Sequence, residues 1–128
     1  MDSSALITWM SRRSPWADLD TFLDEHATLP LCTSTLGFVE TVRTLDLVGS
    51  FPKAMEDLEE RVTEILLTRE VREGAAALPG RIRTLDAVHV ASAQSLGDQL
   101  TALVTYDRRM LDIARQVGLA AHAPGLVD

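Results

Sequence analysis

Residues 84–109 read TLDAVHVASAQSLGDQLTALVTYDRR. The first part has the apolar spacing of a helix, with Thr84 as its predicted N-cap and Gly97 as its predicted C-cap. The run LTALVTY at residues 100–106 is apolar and rich in strand-forming residues, so it predicts a strand. Asp107 follows that strand and opens another predicted helix. Helices that alternate with short apolar strands predict an α/β layer fold.

The same alternation continues on both sides of this stretch. Further helices are predicted at residues 4–10, 15–26, 36–49, 51–60 and 70–78, and the helix after Asp107 extends to residue 117. Further strands are predicted at residues 29–33, 62–67 and 120–123. Strands separated by helices indicate a parallel sheet, whose functional site lies beyond the carboxyl ends of the strands.

Length and composition indicate one globular domain covering residues 1–128. The single cysteine, Cys32, cannot form an internal disulfide, which favours a reducing cytoplasm. No apolar run is long enough for a membrane span, and no secretory signal is recognisable, so we expect no membrane association. The net charge of −7 opposes nucleic-acid binding unless the acidic residues hold cations that face the phosphates.

Four carboxylates occupy junctions of the predicted elements: Asp2, Glu40, Asp86 and Asp107. An aspartate at a helix start often only compensates the helix dipole, and this reading applies to Asp86 and Asp107 taken singly. Glu40 is different, because apolar neighbours flank it on its helix. A carboxylate in such surroundings needs a partner or a cation, since burying a lone charge is costly.

Four segments, taken in order, resemble the PIN-domain family. DSSAL at residues 2–6 is similar to its D-T-S-A-L opening, and VETVR at residues 39–43 to its V-E-x-x-R helix. LDAVHVA at residues 85–91 is similar to L-D-A-x-H-x-A, and VTYDRR at residues 104–109 to V-T-x-D-x-R. Each of the first two segments alone is weak. All four in the right order, over residues 2–124, form a specific pattern.

The resemblance implies a three-layer α/β/α fold with a central parallel sheet of about four or five short strands. It further implies a metal-dependent endoribonuclease, the toxin of a type II VapBC pair, that cleaves single-stranded or structured RNA, with tRNA and rRNA as candidates. A cognate antitoxin would inhibit it, and a homodimer is expected.

The resemblance also assigns roles to individual residues. The predicted catalytic and metal-binding set is Asp2, Glu40, Asp86 and Asp107. The predicted supporting set is Ser3, Ser4, Arg43, Thr105, Arg108 and Arg109, in which the arginines would meet substrate phosphate or hold the site carboxylates. Oxygen ligands of this kind suit Mg²⁺ or Mn²⁺, which can activate water and orient a phosphodiester.

His89 follows Asp86 by one helical turn among apolar neighbours, so a hydrogen-bonded histidine at the edge of the core is favoured over a metal ligand. Phe51, Met55 and Leu58 form an apolar stripe in a predicted helix. Core packing is favoured for this stripe over a groove for the antitoxin or a dimer surface.

Two alternative functions stay open at this point. One is a protein-binding module that keeps the PIN fold without catalysis, although the four carboxylates oppose it. The other is a Mg²⁺-dependent phosphohydrolase acting on small molecules, although neither a D-x-D motif nor a glycine-rich phosphate loop is present. One departure from the family is that only Met1 precedes Asp2, where a central strand is expected. Either that strand is truncated or the true start lies upstream.

Overall fold

The computed structural model describes residues 1–48 and 53–126. The helices in these residues are α1 (Ser3–Ser11), α2 (Trp16–Glu25), α3 (Thr35–Val48), α4 (Ala54–Arg61), α5 (Arg69–Ala76), α6 (Thr84–Ser95) and α7 (Arg108–Gln116). The strands are β1 (Cys32–Ser34), β2 (Thr63–Ile65), β3 (Leu103–Val104) and β4 (Ala121–His122). None of these helices is long and apolar enough to span a bilayer.

The four described strands pair in parallel, which confirms the predicted three-layer α/β/α fold. β1 pairs with β2, with Cys32 opposite Thr63, and β3 pairs with β4, with Leu103 opposite Ala121. The strands form two separate pairs, whereas the sequence predicted one central sheet.

The backbone of the first two residues connects these two pairs. The Met1 ammonium donates to the Cys32 carbonyl at 2.8 Å, and the Asp2 N–H donates to the Val104 carbonyl at 3.2 Å. Beside this link lies a cavity of about 310 Å³ with largely apolar walls, which include Leu31 and Leu103. The backbone of Met1 and Asp2 therefore lies between β1 and β3.

Several element boundaries differ from the sequence prediction. β1 begins at Cys32, because Leu29 still belongs to the turn after α2, where its N–H donates to the His26 carbonyl. The predicted strand at residues 100–106 shortens to β3. Thr84 is the first residue of α6 and not its N-cap, a position that Arg83 takes without a side-chain hydrogen bond. The predicted helix ends at Gly49 and Phe51 lie outside the described residues.

The core holds the site-bearing helices against the strands. Leu6 of α1, Phe38 of α3 and Leu58 of α4 belong to one buried cluster, and Leu103 and Leu111 belong to another beneath α7. Burying a leucine of this kind contributes about 1.5–3 kcal/mol. Of the predicted apolar stripe, Leu58 is fully buried in the core, Met55 is 47% exposed, and Phe51 lies outside the described residues.

Candidate active site

Three aspartates lie at the N-termini of three helices next to the end of β3. Asp2 is the N-cap of α1, Asp107 is the N-cap of α7, and Asp86 lies in the first turn of α6. Helix N-termini carry partial positive charge and therefore stabilise nearby carboxylates. The fold thus brings negative side chains from three distant stretches of sequence to one edge of the sheet.

Three hydrogen bonds hold the side chain of Asp2. It is only 3% exposed. Its Oδ1 accepts from the Ser4 hydroxyl at 2.7 Å and from the Ala5 N–H at 3.1 Å, and its Oδ2 accepts from the Thr105 hydroxyl at 2.8 Å. A buried carboxylate with these donors stays oriented, because each donor fixes one lone-pair direction.

Thr105 and Ser4 also connect α1 to the loop after β3. Thr105 Oγ1 accepts from the Asp107 N–H at 3.0 Å while it donates to Asp2, so one hydroxyl bridges two of the aspartates. Ser4 Oγ accepts from the Tyr106 N–H at 2.9 Å. The polar residues that accompany the first and last aspartates in the sequence therefore set the distance between them.

Asp86 and Asp107 both lie close to the guanidinium group of Arg83. Arg83 lies 3.4 Å from Asp86 Oδ2 through Nε and 3.8 Å from Asp107 Oδ2 through Nη2. The pKa of Asp86 is raised above its usual range, first by burial and then by the negative charge of Asp107, with a smaller contribution from Asp2. Arg83 and His89 act in the opposite direction. The Asp86 carboxyl therefore lies close enough to Asp107 and Asp2 to experience their negative charges.

Glu40 is connected to that cluster indirectly, through His89. Its Oε1 is 2.8 Å from Nε2 of His89, which lies one turn after Asp86 on α6. The other ring nitrogen of His89, Nδ1, is 2.7 Å from the Ser34 hydroxyl. Glu40 is not among the charges that shift the pKa of Asp86, and its connection to the aspartates runs through His89. The histidine is 4% exposed and both ring nitrogens are bonded, as the sequence analysis favoured.

The predicted supporting residues divide into two groups. Ser4 and Thr105 contact Asp2 directly, whereas no hydrogen bond joins the Ser3 hydroxyl to these aspartates. The prediction that Arg43 holds the site carboxylates is not supported, because Thr41, Val42 and Leu45 take the buried positions of α3 and Arg43 faces solvent.

The arginine that contacts the aspartates is not one of those that the sequence pattern predicted. Arg108 and Arg109 are exposed in the first turn of α7, next to Asp107. Arg83, which the sequence analysis missed, is the arginine that contacts Asp86 and Asp107. Its signal in the sequence is its place three residues before Asp86, a spacing at which opposite charges meet on a helix.

The donor chemistry of this cluster fits a hard divalent cation. Within residues 1–48 and 53–126, no three His, Cys, Asp or Glu side chains already hold their ligand atoms close enough to coordinate one ion. The cluster nevertheless offers carboxylate oxygens alone, the ligands that Mg²⁺ and Mn²⁺ prefer. It also already attracts one cationic group, the guanidinium of Arg83.

Comparisons with known proteins identify the family of this chain. The PIN domain family model matches residues 1–116. The chain is 35% identical over 130 residues to Ribonuclease VapC35 of Mycobacterium tuberculosis (strain ATCC 25618 / H37Rv), which covers 98% of this chain and 96% of that protein. It is 37% identical over 127 residues to Ribonuclease VapC46 of the same strain, covering 97% of this chain and 95% of that protein. Ribonuclease VapC47 of strain CDC 1551 / Oshkosh is 35% identical over 133 residues, with coverages of 99% and 97%. The chain therefore belongs to the PIN-domain family.

Proposed function

We propose that this chain is a metal-dependent endoribonuclease that acts as the toxin of a type II VapBC toxin–antitoxin module. The observation that carries the proposal is the cluster of Asp2, Asp86 and Asp107, in which burial and then the negative charge of Asp107 raise the pKa of Asp86. Like charges gathered in a partly buried site destabilise the fold unless a cation offsets them. The names of the similar proteins supply the reaction class, since each is called a ribonuclease.

Each group in the site has a definite task under this proposal. Asp2, Asp86 and Asp107 would hold Mg²⁺ or Mn²⁺, with Glu40 completing the acidic set. The ion supplies activation of water and charge neutralisation at the scissile phosphate when it is bound. Ser4 and Thr105 orient Asp2 through the hydrogen bonds given above. Arg108 and Arg109 lie exposed beside Asp107, where they would contact the phosphates of the RNA.

A bound divalent cation would also explain how a chain with a negative net charge can bind RNA. A net charge of −7 repels RNA at long range, so affinity has to come from groups close to the cleaved bond. Bound divalent ions and the exposed arginines of α7 provide such groups. We further propose a cytoplasmic location, a homodimer, and inhibition by an antitoxin that places a basic residue against the acidic cluster.

The decisive experiment is incubation with a pool of cellular RNAs, with and without Mg²⁺ or Mn²⁺, followed by mapping of the cut sites. We expect cleavage only with the ion, and its loss in Asp86→Asn and Asp107→Asn while circular dichroism shows that both variants fold. Cleavage that persists in both variants would contradict the assignment of the site. Hydrolysis of a small phosphomonoester without cleavage of RNA would favour a phosphohydrolase instead.

A further inference from the structure

His89 is a buried titratable side chain whose two ring nitrogens are both hydrogen-bonded, and the reaction proposed above gives it no role. It lies on α6, and its two ring nitrogens reach two different elements. Nδ1 meets Ser34 at the end of β1, and Nε2 meets Glu40 on α3. We propose that His89 is a positioning residue that holds the Glu40 carboxylate in the orientation needed to receive the metal ion. This inference rests on the proposed function.

The direction of the hydrogen bonds follows from Glu40. A carboxylate oxygen accepts, so Nε2 of His89 donates to Glu40 Oε1 at 2.8 Å. In a neutral imidazole the other ring nitrogen is an acceptor, so Nδ1 accepts from the Ser34 hydroxyl at 2.7 Å, while Ser34 Oγ accepts from the Gly37 N–H at 3.0 Å. A carboxylate oriented by an N–H donor in this way keeps its second oxygen for another partner. The side chain of Glu40 is 35% exposed.

The backbone of α3 is shaped to fit the imidazole ring. Gly37 lies one turn before Glu40, and a Cβ added there would lie 3.0 Å from His89 Cε1 and 2.3 Å from Thr33 Oγ1. The ring is thus packed against a residue without a side chain, which fixes the distance between α3 and α6. Ser34, His89 and Glu40 form a chain of contacts that joins β1, α6 and α3.

The test replaces His89 with each of the two amide residues, glutamine and asparagine. It measures the Mn²⁺ affinity of each variant directly, by calorimetry or by electron paramagnetic resonance. The amide nitrogen of glutamine reaches about as far as Nε2, whereas that of asparagine reaches only as far as Nδ1. We expect His89→Gln to keep Mn²⁺ affinity within a few-fold of wild type. We expect His89→Asn to weaken it by about 10- to 100-fold, the usual loss when a group behind a metal ligand is removed. Equal affinities for the two variants would overturn the proposal.

A double-mutant cycle separates positioning from general damage to the fold. If His89 acts through Glu40, then His89→Asn should cause no further loss of Mn²⁺ affinity in a Glu40→Gln background. Additive losses would overturn the proposal. Ser92→Ala is the matched control, because its buried hydroxyl bonds only to the Val88 carbonyl of its own helix. If position 89 variants do not fold, Ser34→Ala takes their place, and an unchanged Mn²⁺ affinity in that variant would overturn the proposal.

The outcomes also distinguish this inference from the proposed function. If the wild-type protein neither binds Mn²⁺ nor cleaves RNA, both the proposed function and the positioning role of His89 are contradicted. If the wild-type protein binds Mn²⁺ and cleaves RNA, but the Glu40→Gln variant has the same Mn²⁺ affinity, only the positioning role of His89 is contradicted. In that case Asp2, Asp86 and Asp107 would remain as the site.

Discussion

Thr105 shows how one hydroxyl group can organise a site. It is fully buried, donates to Asp2 and accepts from the Asp107 N–H, so both aspartates depend on it. Loss of a donor to a buried carboxylate costs free energy, because the oxygen left unpaired cannot form a hydrogen bond with water instead. Thr105 therefore contributes to stability as well as to the orientation of Asp2.

We predict that Thr105→Val lowers the free energy of unfolding by about 1–3 kcal/mol, because a near-isosteric methyl leaves two buried polar groups without their partner. Urea unfolding followed by circular dichroism measures the change. Thr105→Ser keeps the hydroxyl and should recover most of the loss. Equal destabilisation by valine and serine would mean that packing of the methyl group, and not the hydrogen bonds, accounts for the effect.

Asp86 makes the metal-free protein less stable as the pH rises. Its pKa is raised by burial and by Asp107, so the folded state binds the proton more tightly than the unfolded state does. This contribution to stability is complete below the ordinary pKa of 3.8 and is lost as the pH rises through the raised value. Near neutral pH the folded protein therefore carries an unfavourable charge that a bound cation would offset.

Replacement of Asp86 by asparagine should reverse this pattern. In EDTA at pH 7 we expect Asp86→Asn to have a higher Tm than wild type, with the difference vanishing below about pH 3.8. Addition of Mn²⁺ should raise the Tm of wild type more than that of the variant, because only wild type keeps the full ligand set. Thermal unfolding across pH, with and without the ion, provides the measurement. A variant that is less stable than wild type at pH 7 in EDTA would refute this account.

At the scale of elements, the close packing of α3 against β1 and α6 favours glycine at position 37. Gly37 lies inside α3, where alanine would ordinarily be favoured by about 1 kcal/mol. A Cβ at this position would meet the buried Thr33 hydroxyl, whose β-branched side chain has little freedom to move. The helix therefore tolerates glycine because the packing between elements outweighs helix propensity.

Gly74 of α5 offers a matched comparison. A Cβ there would meet only Ala91 Cβ at 3.5 Å, an ordinary contact. We predict that Gly74→Ala stabilises the protein by about 0.5–1 kcal/mol, whereas Gly37→Ala destabilises it by about 1–3 kcal/mol through overpacking. Urea unfolding of the two variants side by side tests this opposition. Stabilisation by both changes would show that α3 can move away from His89 at little cost.

For the whole molecule, local signals gave the fold and the acidic residues, while their precise partners depended on tertiary contacts. Asp107 could be placed from sequence because a strand ends just before it, and it is indeed the N-cap of α7. The contact between Glu40 and His89 joins residues 49 positions apart, and no periodicity encodes such a pair. The division of the strands into two pairs was equally hidden, because strand pairing is a tertiary contact between distant segments.

The charge of the whole molecule leads to a prediction about RNA binding. With a net charge of −7, few phosphates can be neutralised, so the salt dependence of RNA affinity should be shallow. Arg108 and Arg109 are exposed beside Asp107, and each phosphate contact with single-stranded RNA contributes about 0.7 to the slope of log affinity against log salt. In an Asp86→Asn background, which keeps the RNA intact, Arg108→Gln or Arg109→Gln should lower that slope by about this amount for every RNA sequence. Arg69→Gln is the control, since Arg69 pairs with Glu73 on α5. An unchanged slope in both α7 variants would remove these arginines from the RNA interface.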